Sequence, residues 1–409
     1  MSKAVILPFP ATPTTRRRIA FVINSLGPGG AERVLDNILH TAPEGEWECH
    51  LILLDQEHEH RTPPDFVTIH RLDCRLHLLP SVRQLRERLL AIRPDLVVSF
   101  LVRANIAAII ASRAIGAPCI ISERSHLTTH FAERHRGLQL AAASLASRLA
   151  YPRAHHVIAV SEGVRADLIQ NFGVMPHLSA SIPNPYDLEG IAHAAEAAPE
   201  FPLPDRFMVS AGRLVGAKGF DDLIRAYAIA QPPIPLVILG EGAERPYLTS
   251  LIASLGLQDR ILLPGYAKNP FAIVGRAEMF VSASHCEGFP NAMAEAMALG
   301  LPVVATDCPS GPAEILAGVE TTGSNGIVEA DHGILVPVRE PAMFARAITL
   351  MSDPKRRQHY AAMARRRVDD YRIHGITTRY WKTFADVLDR RPVSAPQPGP
   401  PPVAGRETA

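Results

Sequence analysis

The chain has 409 residues, of which 47% are hydrophobic and 20% charged, and its formal net charge is +1. This composition indicates a soluble globular protein of two or three domains, and the near-neutral charge gives no support to nucleic-acid binding. Residues 1–185 carry 20 Lys and Arg against 16 Asp and Glu, a small excess that favours an anionic partner on that half.

The cysteines are few and scattered: Cys49, Cys74, Cys119, Cys286 and Cys308. With no Cys-x-x-Cys pair, the sequence predicts neither a zinc site nor a disulfide framework. Prolines interrupt the opening residues where a signal peptide needs an apolar core, and no apolar run reaches the length of a membrane span. We therefore expect a cytoplasmic protein.

In the first half, runs rich in Val, Ile and Leu alternate with helical patterns. The predicted strands are residues 18–26, 49–55, 95–101, 118–123 and 155–160, with helices such as AERVLDNILH and SVRQLRERLLAI between them. Nearly continuous apolar strands are typical of a parallel sheet covered on both faces. The pattern predicts a doubly wound α/β domain over residues 18–185, after a flexible N-terminus at 1–17.

A proline- and alanine-rich segment, 182–205, interrupts this pattern, which then resumes. Strands are predicted at residues 207–212, 235–240, 260–265, 278–284, 301–307 and 333–337. A helical stretch at 359–388 follows, and residues 389–409 are predicted to be a disordered tail. We expect a second α/β domain over 186–388 and a cleft between the two domains.

The loop SLGPGGAERVLDNIL (25–39) joins a predicted strand to a helix and contains Gly27, Gly29 and Gly30. Small residues let a ligand approach the backbone, and a helix start offers free N–H groups to an anion. The third glycine of G-x-G-x-x-G is missing, although Asp55 after the next strand would suit a dinucleotide ribose. A ligand loop and an ordinary tight turn both remain open.

The loop SAGRLVGAKGF (210–220) follows the first strand of the second domain. Arg213 and Lys218 flank a glycine turn that leads into an amphipathic helix, an arrangement that suits a diphosphate. Two solvated surface charges are the alternative. The place at the carboxyl end of a strand, where ligands bind in α/β sheets, favours the diphosphate.

The segment SHCEGFPNAMAEAMALG (284–300) holds two carboxylates eight positions apart, Glu287 and Glu295. Pro290 suits a first helical position, so the helix is predicted over residues 291–298 with free N–H groups near 289–292. Glu287 then lies in the loop and Glu295 one turn inside the helix. Carboxylates accept hydrogen bonds from hydroxyls, so the pair suits a sugar nucleotide, against the alternative of two ordinary surface glutamates.

These segments, with LVILGEGAERPYL, LPGY, SGPAEIL and GILVP, resemble the retaining glycosyltransferases of family 4. GPGGAERVL, VSEGV and IPNPYD in the first half resemble the same family, so that the resemblance spans nearly all of residues 18–388. It implies the GT-B fold: two facing Rossmann-like, doubly wound domains with an interdomain cleft and a C-terminal helix that crosses back to the first domain.

The resemblance also implies roles for individual residues. Arg213 and Lys218 would hold the donor diphosphate, and Glu287 would contact the transferred sugar. Further donor-binding positions would be Gly30, Gly212, Gly240, Tyr266, Ala267, Gly288, Phe289, Pro290, Asn291 and Glu295, the last on the ribose, with Gly29 near the phosphate or acceptor. Many relatives have a histidine after the fourth or fifth strand; here the segment is ISERSH, which leaves Glu123, Arg124 and His126 as candidates for contact with the donor sugar or acceptor.

No Asp-x-Asp occurs, and DQEHEHR (55–61) is interpreted as a solvated loop rather than a metal cluster. We expect no metal and no cofactor beyond the nucleotide-sugar co-substrate. ISERS and SGPAEIL resemble bacterial enzymes that add hexoses or N-acetylhexosamines to lipid-linked glycans, which favours a UDP-sugar.

Residues 71–93 and 124–153 combine basic and apolar positions. They predict either helices on an anionic membrane surface, beside a lipid-linked saccharide acceptor, or ordinary covering helices. Two other functions stay open: an NAD-type oxidoreductase that uses GPGG and Asp55, and a non-catalytic sugar-binding protein.

Overall fold

The structure, a computed structural model, describes residues 16–390 except Pro28 and residues 135–137. The predicted N-terminus and tail therefore lie almost wholly outside the described residues. Within them the chain forms two seven-stranded sheets, in the orders β3-β2-β1-β4-β5-β6-β7 and β10-β9-β8-β11-β12-β14-β13. Strand order reverses beside β1 and beside β8, so each sheet has the switch point of a doubly wound fold.

The first lobe takes residues up to 181. Its strands are β1 (Arg17–Ile23), β2 (Trp47–Leu53), β3 (Thr68–Arg71), β4 (Leu96–Phe100), β5 (Cys119–Glu123), β6 (His156–Ala159) and β7 (Ser179–Ser181). Its helices are α1 (Gly30–His40), α2 (Leu78–Ile92), α3 (Val102–Ile115), α4 (Leu127–Arg134), α5 (Leu138–Ala150) and α6 (Glu162–Phe172). All its strand pairs are parallel.

The second lobe repeats this arrangement. Its strands are β8 (Met208–Ala211), β9 (Leu236–Leu239), β10 (Ile261–Gly265), β11 (Met279–Ser282), β12 (Val303–Thr306), β13 (Val328–Ala330) and β14 (Gly333–Val336). Its helices are α7 (Leu188–Ala195), α8 (Phe220–Ala230), α9 (Arg245–Ser254), α10 (Phe271–Val274), α11 (Asn291–Ala298), α12 (Pro312–Leu316), α13 (Pro341–Met351) and α14 (Pro354–Val368). Among the described strands of this sheet, only β13 runs antiparallel to its neighbour, β14.

All eleven predicted strands are confirmed, and three were missed. The missed strands are β3, β7 and β13, each of which lies at or next to the edge of its sheet. They have only three or four residues and are partly exposed. A short edge strand buries one face at most, so its sequence lacks the continuous apolar run that predicts the central strands.

Two segments between the lobes differ from the prediction. The proline-rich segment 182–205 contains a helix, α7, whose first turn is capped by the Asp187 side chain. The single C-terminal helical stretch is two helices, since a 3-10 turn at Asp369–Tyr371 separates α14 from α15 (Ile373–Asp389). That break lets α14 stay on the second lobe beside α11 while α15 returns to the first.

The crossover helix α15 packs on the first sheet, as the GT-B resemblance implies. Trp381, Tyr380 and Phe384 are buried in one cluster with Phe21 of β1, and the Trp381 indole donates to the Ile38 carbonyl at 3.2 Å. The aromatic side chains supply the apolar area that holds the helix there. In the part of the chain that the structure describes, no helix has both the length and the apolar character needed to span a membrane.

Candidate active site

The predicted basic and acidic loops of the second lobe meet at the carboxyl ends of β8 and β11. Lys218 lies in a 3-10 turn after β8, and its Nζ donates to Oε1 of Glu287 at 2.5 Å. The Ser284 hydroxyl donates to the same oxygen at 2.7 Å. Both side chains are mostly buried, at 24% and 10% exposure, so the pair has a fixed orientation.

The turn that carries Lys218 depends on Gly219. This residue is the N-cap of α8 and has a φ of 58°, a left-handed conformation that favours glycine. A Cβ here would lie 2.1 Å from the Ala283 carbonyl oxygen. The missing side chain therefore lets the β8 loop approach the β11 loop closely enough for Lys218 to reach Glu287.

Arg213, the other predicted cation, is exposed. Its side chain has no ion-pair or hydrogen-bond partner within the described residues. Nearby, Gly212 and Gly240 follow the adjacent strands β8 and β9 in backbone contact, because a Cβ on Gly240 would lie 1.9 Å from the Gly212 oxygen. The structure brings Lys218 and Glu287 together and leaves Arg213 at the same sheet edge, where an anion could reach it.

The helix α11 spans Asn291–Ala298, which confirms the predicted helix, and Pro290 is its N-cap rather than a first helical residue. No side chain caps the helix. The N–H groups of Met293 and Ala294 bond to the Pro290 carbonyl, whereas those of Asn291 and Ala292 have no partner within the described residues. Unpaired N–H groups at a helix start favour an anion.

Three further residues predicted to bind the donor, Phe289, Tyr266 and Ala267, differ in their exposure. The Phe289 ring is buried between Tyr186 and Tyr371, with ring centroids 6.5 and 5.3 Å apart, so only its backbone is placed for a ligand. After β10, Tyr266 is 60% exposed and Ala267 is 6% exposed. The Tyr266 backbone and side chain are therefore accessible at the sheet edge.

Glu295 lies one turn inside α11 and is 8% exposed. Its Oε1 accepts a hydrogen bond from the Arg33 guanidinium of α1, which belongs to the opposite lobe. The sequence did not single out Arg33, because an arginine in an amphipathic helix is ordinary. The predicted ribose ligand is thus held by a residue from the other side of the cleft.

The glycine loop of the first lobe faces α11. Gly29 is the N-cap of α1, and a Cβ on Gly30 would lie 2.5 Å from Nδ2 of Asn291. Oδ1 of Asn291 accepts hydrogen bonds from Asn184 at 2.5 Å and from the Tyr186 hydroxyl at 2.6 Å. Oδ1 of Asn291 therefore joins the second lobe to the linker. The backbone N–H and the Nδ2 amide of Asn291 are left for a nucleotide-sugar ligand.

Of the three candidates after β5, Glu123 is fully buried. Its Oε1 accepts the N–H groups of Arg124 and Ser125 at 2.9 and 3.1 Å, and its Oε2 accepts the Tyr151 hydroxyl at 2.6 Å. A ligand in the cleft cannot touch it. Glu123 shapes the β5–α4 loop, and it is removed from the candidates for sugar contact.

Arg124 and His126 lie nearer the second lobe. Arg124 bonds to the Asn184 side chain and, at 2.8 Å, to the Tyr380 hydroxyl, and its carbonyl oxygen would lie 2.0 Å from a Cβ on Gly288. Nδ1 of His126 lies 3.1 Å from the Thr129 hydroxyl. That hydroxyl is 2.7 Å from Sγ of Cys286, the residue before Glu287, so His126 approaches the acidic loop from the first lobe.

The dinucleotide alternative loses its acidic residue. Asp55 is 5% exposed, forms an ion pair with Arg103 and accepts the Leu76 N–H at 3.0 Å. Its carboxylate is therefore used within the first lobe. The oxidoreductase interpretation, which needs Asp55 for the ribose, is therefore wrong.

The other carboxylates of the loop at 55–61 are also bonded within the first lobe. Glu57 accepts the Ser25 hydroxyl at 2.6 Å, and Glu59 pairs with Arg71 at 2.7 Å. Among the described residues, one cluster has a spacing that could hold a metal: Asp221, Asp222 and His285. In it His285 Nε2 lies 2.8 Å from the Asp222 carboxylate, so two of the three groups already satisfy each other.

Two sequence-family models match the chain in succession. Residues 28–189 match Glycosyltransferase Family 4, and residues 194–367 match Glycosyl transferases group 1. A curated relative from Campylobacter jejuni is 32% identical over 375 residues, which cover 86% of this chain and 94% of the relative. It is N-acetylgalactosamine-N,N'-diacetylbacillosaminyl-diphospho-undecaprenol 4-alpha-N-acetylgalactosaminyltransferase.

Solved structures share the whole architecture. Anabaena HepE, in complex with UDP and glucose, superimposes with a TM-score of 0.70 at 22% identity, over 91% of this chain and 100% of that one. Sucrose-phosphate synthase from Thermosynechococcus elongatus gives a TM-score of 0.75 at 17% identity, over 92% and 100%. At these identities the likeness shows the fold.

We expect the buried Glu123 to make stability depend on pH. Burial raises its pKa from 4.5 to about 7, against the opposing hydrogen bonds from Tyr151, Arg124 and Ser125. At a pH between these two pKa values, Glu123 keeps its proton in the folded protein but has lost it in the unfolded chain. The free energy of unfolding should therefore fall as pH rises through this window, by up to about 1.4 kcal/mol per pH unit from this group.

The measurement is urea denaturation of the wild type and Glu123→Gln between pH 4.5 and 7.5. The glutamine imitates the protonated carboxyl, so the variant should lack this contribution and lose less stability across the window. Parallel stability curves for the two proteins would contradict the assignment of the raised pKa to Glu123.

Proposed function

The chain belongs to the family 4 and group 1 glycosyltransferases, and we propose that it transfers a hexose or N-acetylhexosamine from a UDP-sugar to a glycan or lipid-linked saccharide. We further propose that the transfer retains the anomeric configuration and needs no metal. The observation that carries this proposal is the Lys218–Glu287 contact beside the uncapped amino end of α11.

The chemistry follows from where charge develops. Breaking the anomeric C–O bond develops positive charge on the sugar and adds negative charge to the departing diphosphate. Lys218, Arg213 and the free N–H groups of α11 would stabilise that diphosphate, and preorganised donors of this kind commonly supply the largest catalytic contribution. These residues replace the charge that a metal ion would otherwise provide.

Glu287 would orient the sugar through its hydroxyls. Its Oε1 already accepts from Lys218 and Ser284, and a carboxylate has further acceptor positions for sugar hydroxyls. From the first lobe, we assign the sugar contact to His126. Its Nδ1 faces Thr129 but its Nε2 has no partner within the described residues, whereas the Arg124 guanidinium is bonded to Asn184 and Tyr380. Retention is supported by the α linkage in the name of the Campylobacter relative, since common nucleotide hexoses are themselves α-linked.

The nucleoside would lie at the second lobe. Glu295 would accept the ribose hydroxyls, and the backbone of Tyr266 and Ala267 would contact the base. We choose uridine because HepE, which has the same fold, holds UDP and glucose. A lipid-linked acceptor is supported by the undecaprenol-linked substrate in the name of the Campylobacter relative.

Replacing either member of the central ion pair should abolish transfer. We expect Lys218→Ala and Glu287→Ala to lower kcat by roughly a hundredfold or more, because the first removes a cation that stabilises the departing diphosphate and the second removes the carboxylate that orients the sugar and Lys218. The assay is transfer of radiolabelled sugar from UDP-GlcNAc, UDP-GalNAc, UDP-glucose or UDP-galactose to a lipid extract. Lys355→Ala, which removes an exposed lysine on α14, is the control, and wild-type turnover in either site variant would refute the proposal.

Transfer should continue without divalent metal. With Lys218 and the α11 N–H groups available for the diphosphate, the rate in excess EDTA should stay within about twofold of the untreated rate, since charge stabilisation does not depend on an added ion. The comparison is made with enzyme dialysed against chelator, with and without added Mg²⁺ or Mn²⁺. An absolute requirement for either ion would overturn the metal-independent mechanism and direct attention to Asp221, Asp222 and His285.

We also propose that the first lobe rests on an anionic membrane, where it would meet a lipid-linked acceptor. The helices α2, α3 and α5 pack side by side on one face of the sheet. They expose large apolar side chains, at Leu79, Leu90, Ile110, Leu145 and Leu149. Arginines on the same helices, at positions 83, 86, 113 and 148, are also exposed, so this α2–α3–α5 surface combines apolar and cationic groups as interfacial helices do.

Vesicle flotation tests this surface. The wild type should float with vesicles of phosphatidylcholine and phosphatidylglycerol and not with phosphatidylcholine alone, because the arginines attract anionic lipid. Leu79→Gln with Leu145→Gln should reduce flotation several-fold by removing apolar area. Ile229→Gln, at an apolar residue of the second lobe that is 59% exposed, is the matched control, and a wild type that stays with the soluble fraction would exclude the membrane proposal.

A further inference from the structure

The first turns of α1 and α11 face each other across the cleft. Gly30 and Asn291 approach at their starts, where a Cβ on Gly30 would lie 2.5 Å from Nδ2 of Asn291. Three residues further along α1 is Arg33, and four further along α11 is Glu295. Residues three or four apart share one face of a helix, so the Arg33–Glu295 contact continues the Gly30–Asn291 contact along the same two faces.

The Arg33–Glu295 pair is partly enclosed. The Glu295 side chain is 11% exposed and that of Arg33 is 37% exposed. Arg33 uses only Oε1 of the carboxylate, and Oε2 has no partner within the described residues. Since a carboxylate offers about four acceptor positions, Glu295 can hold Arg33 and still accept hydroxyl groups.

The Arg33 guanidinium also has titratable neighbours besides Glu295. Burial lowers the pKa of Arg33, and so does the nearby charge of Arg61, while Tyr186 and Tyr266 act in the opposite direction. Tyr266 follows β10, at the position that would contact the base. Arg33 is therefore near Tyr266 as well as bonded to Glu295, although it belongs to the lobe that does not carry these two residues.

We propose that Arg33 is a positioning residue that acts through Glu295. By bonding to Oε1, Arg33 orients the Glu295 carboxylate so that the ribose hydroxyls of the donor can bind to the carboxylate. Because the two residues belong to different lobes, recognition of the ribose then depends on closure of the lobes. The inference rests on the proposed function, because it takes a ribonucleotide sugar as the donor. It adds a first-lobe residue to nucleoside recognition.

A comparison of ribose and deoxyribose separates this role from others. Binding of UDP and of 2′-deoxy-UDP is measured by calorimetry for the wild type, Arg33→Met and Arg33→Lys. A hydrogen bond to an oriented charged group accounts for roughly tenfold in affinity, so the wild type should prefer UDP by about that factor. Arg33→Met should lower the preference to about twofold, and Arg33→Lys should restore part of it.

The matched control is Arg61→Gln. Arg61 is also on the first lobe and close to Arg33, but it pairs with Asp36 at 3.8 Å, and within the described residues it has no hydrogen bond or ion pair with Glu295. The Arg61→Gln substitution removes the same charge from the same neighbourhood. The preference of this variant for UDP over 2′-deoxy-UDP should therefore equal that of the wild type. Thermal melting of each variant checks that the fold survives, which the partial exposure of Arg33 favours.

Three results would overturn the inference. If Arg33→Met weakens UDP and 2′-deoxy-UDP equally, Arg33 only holds the lobes together. If it tightens UDP, Arg33 competes with the ribose for Glu295. If the wild type binds none of UDP, GDP and ADP, there is no ribose to position. Failure of the uridine proposal alone has a different signature, binding of GDP or ADP but not UDP, and the preference is then measured against 2′-deoxy-GDP or 2′-deoxy-ADP.

Discussion

The close approach of α1 to α11 sets the geometry of the whole cleft. Gly30 has no side chain, so the amino ends of two helices from different lobes can come together at Asn291. Oδ1 of Asn291 then accepts hydrogen bonds from Asn184 and Tyr186 of the linker and caps no N–H of its own helix, so the first N–H groups of α11 are unpaired among the described residues. A diphosphate would supply the acceptors that this helix start lacks.

Other contacts between the lobes join a polar group of one lobe to the backbone of the other lobe. Glu314, at the start of α12, accepts the N–H groups of Glu162 and Gly163 at 2.8 and 3.0 Å and so caps α6 of the first lobe. Burial raises the pKa of Glu314, although these hydrogen bonds act against the rise. In a second contact, the Arg124 carbonyl of the first lobe lies against Gly288 of the second lobe. The loops that would enclose the donor are thus completed by the opposite lobe.

The chain crosses between the lobes twice, and the two crossings are bonded to each other. The Tyr186 N–H donates to the Tyr371 carbonyl, and the Ile373 N–H donates to the Tyr186 carbonyl, both at 2.9 Å. Beyond this point α15 is anchored by Trp381 in the first-lobe core. Two backbone strands joined by hydrogen bonds resist separation yet can bend, a property of hinges between closing domains.

The sequence by itself determined the central strands, because a strand buried on both faces must be apolar throughout. It also determined which loops could carry the chemistry, since Lys218 and Glu287 each follow such a strand and carboxyl ends of parallel strands share an edge. The tertiary structure alone decided the partners. Glu123 and Asp55 have the residue types of ligand-binding groups, but burial and their bonds to Tyr151 and Arg103 remove them from the cleft. Arg33 looked like any helical arginine, and only the packing of the two lobes, which involves residues 262 positions apart, placed it on Glu295.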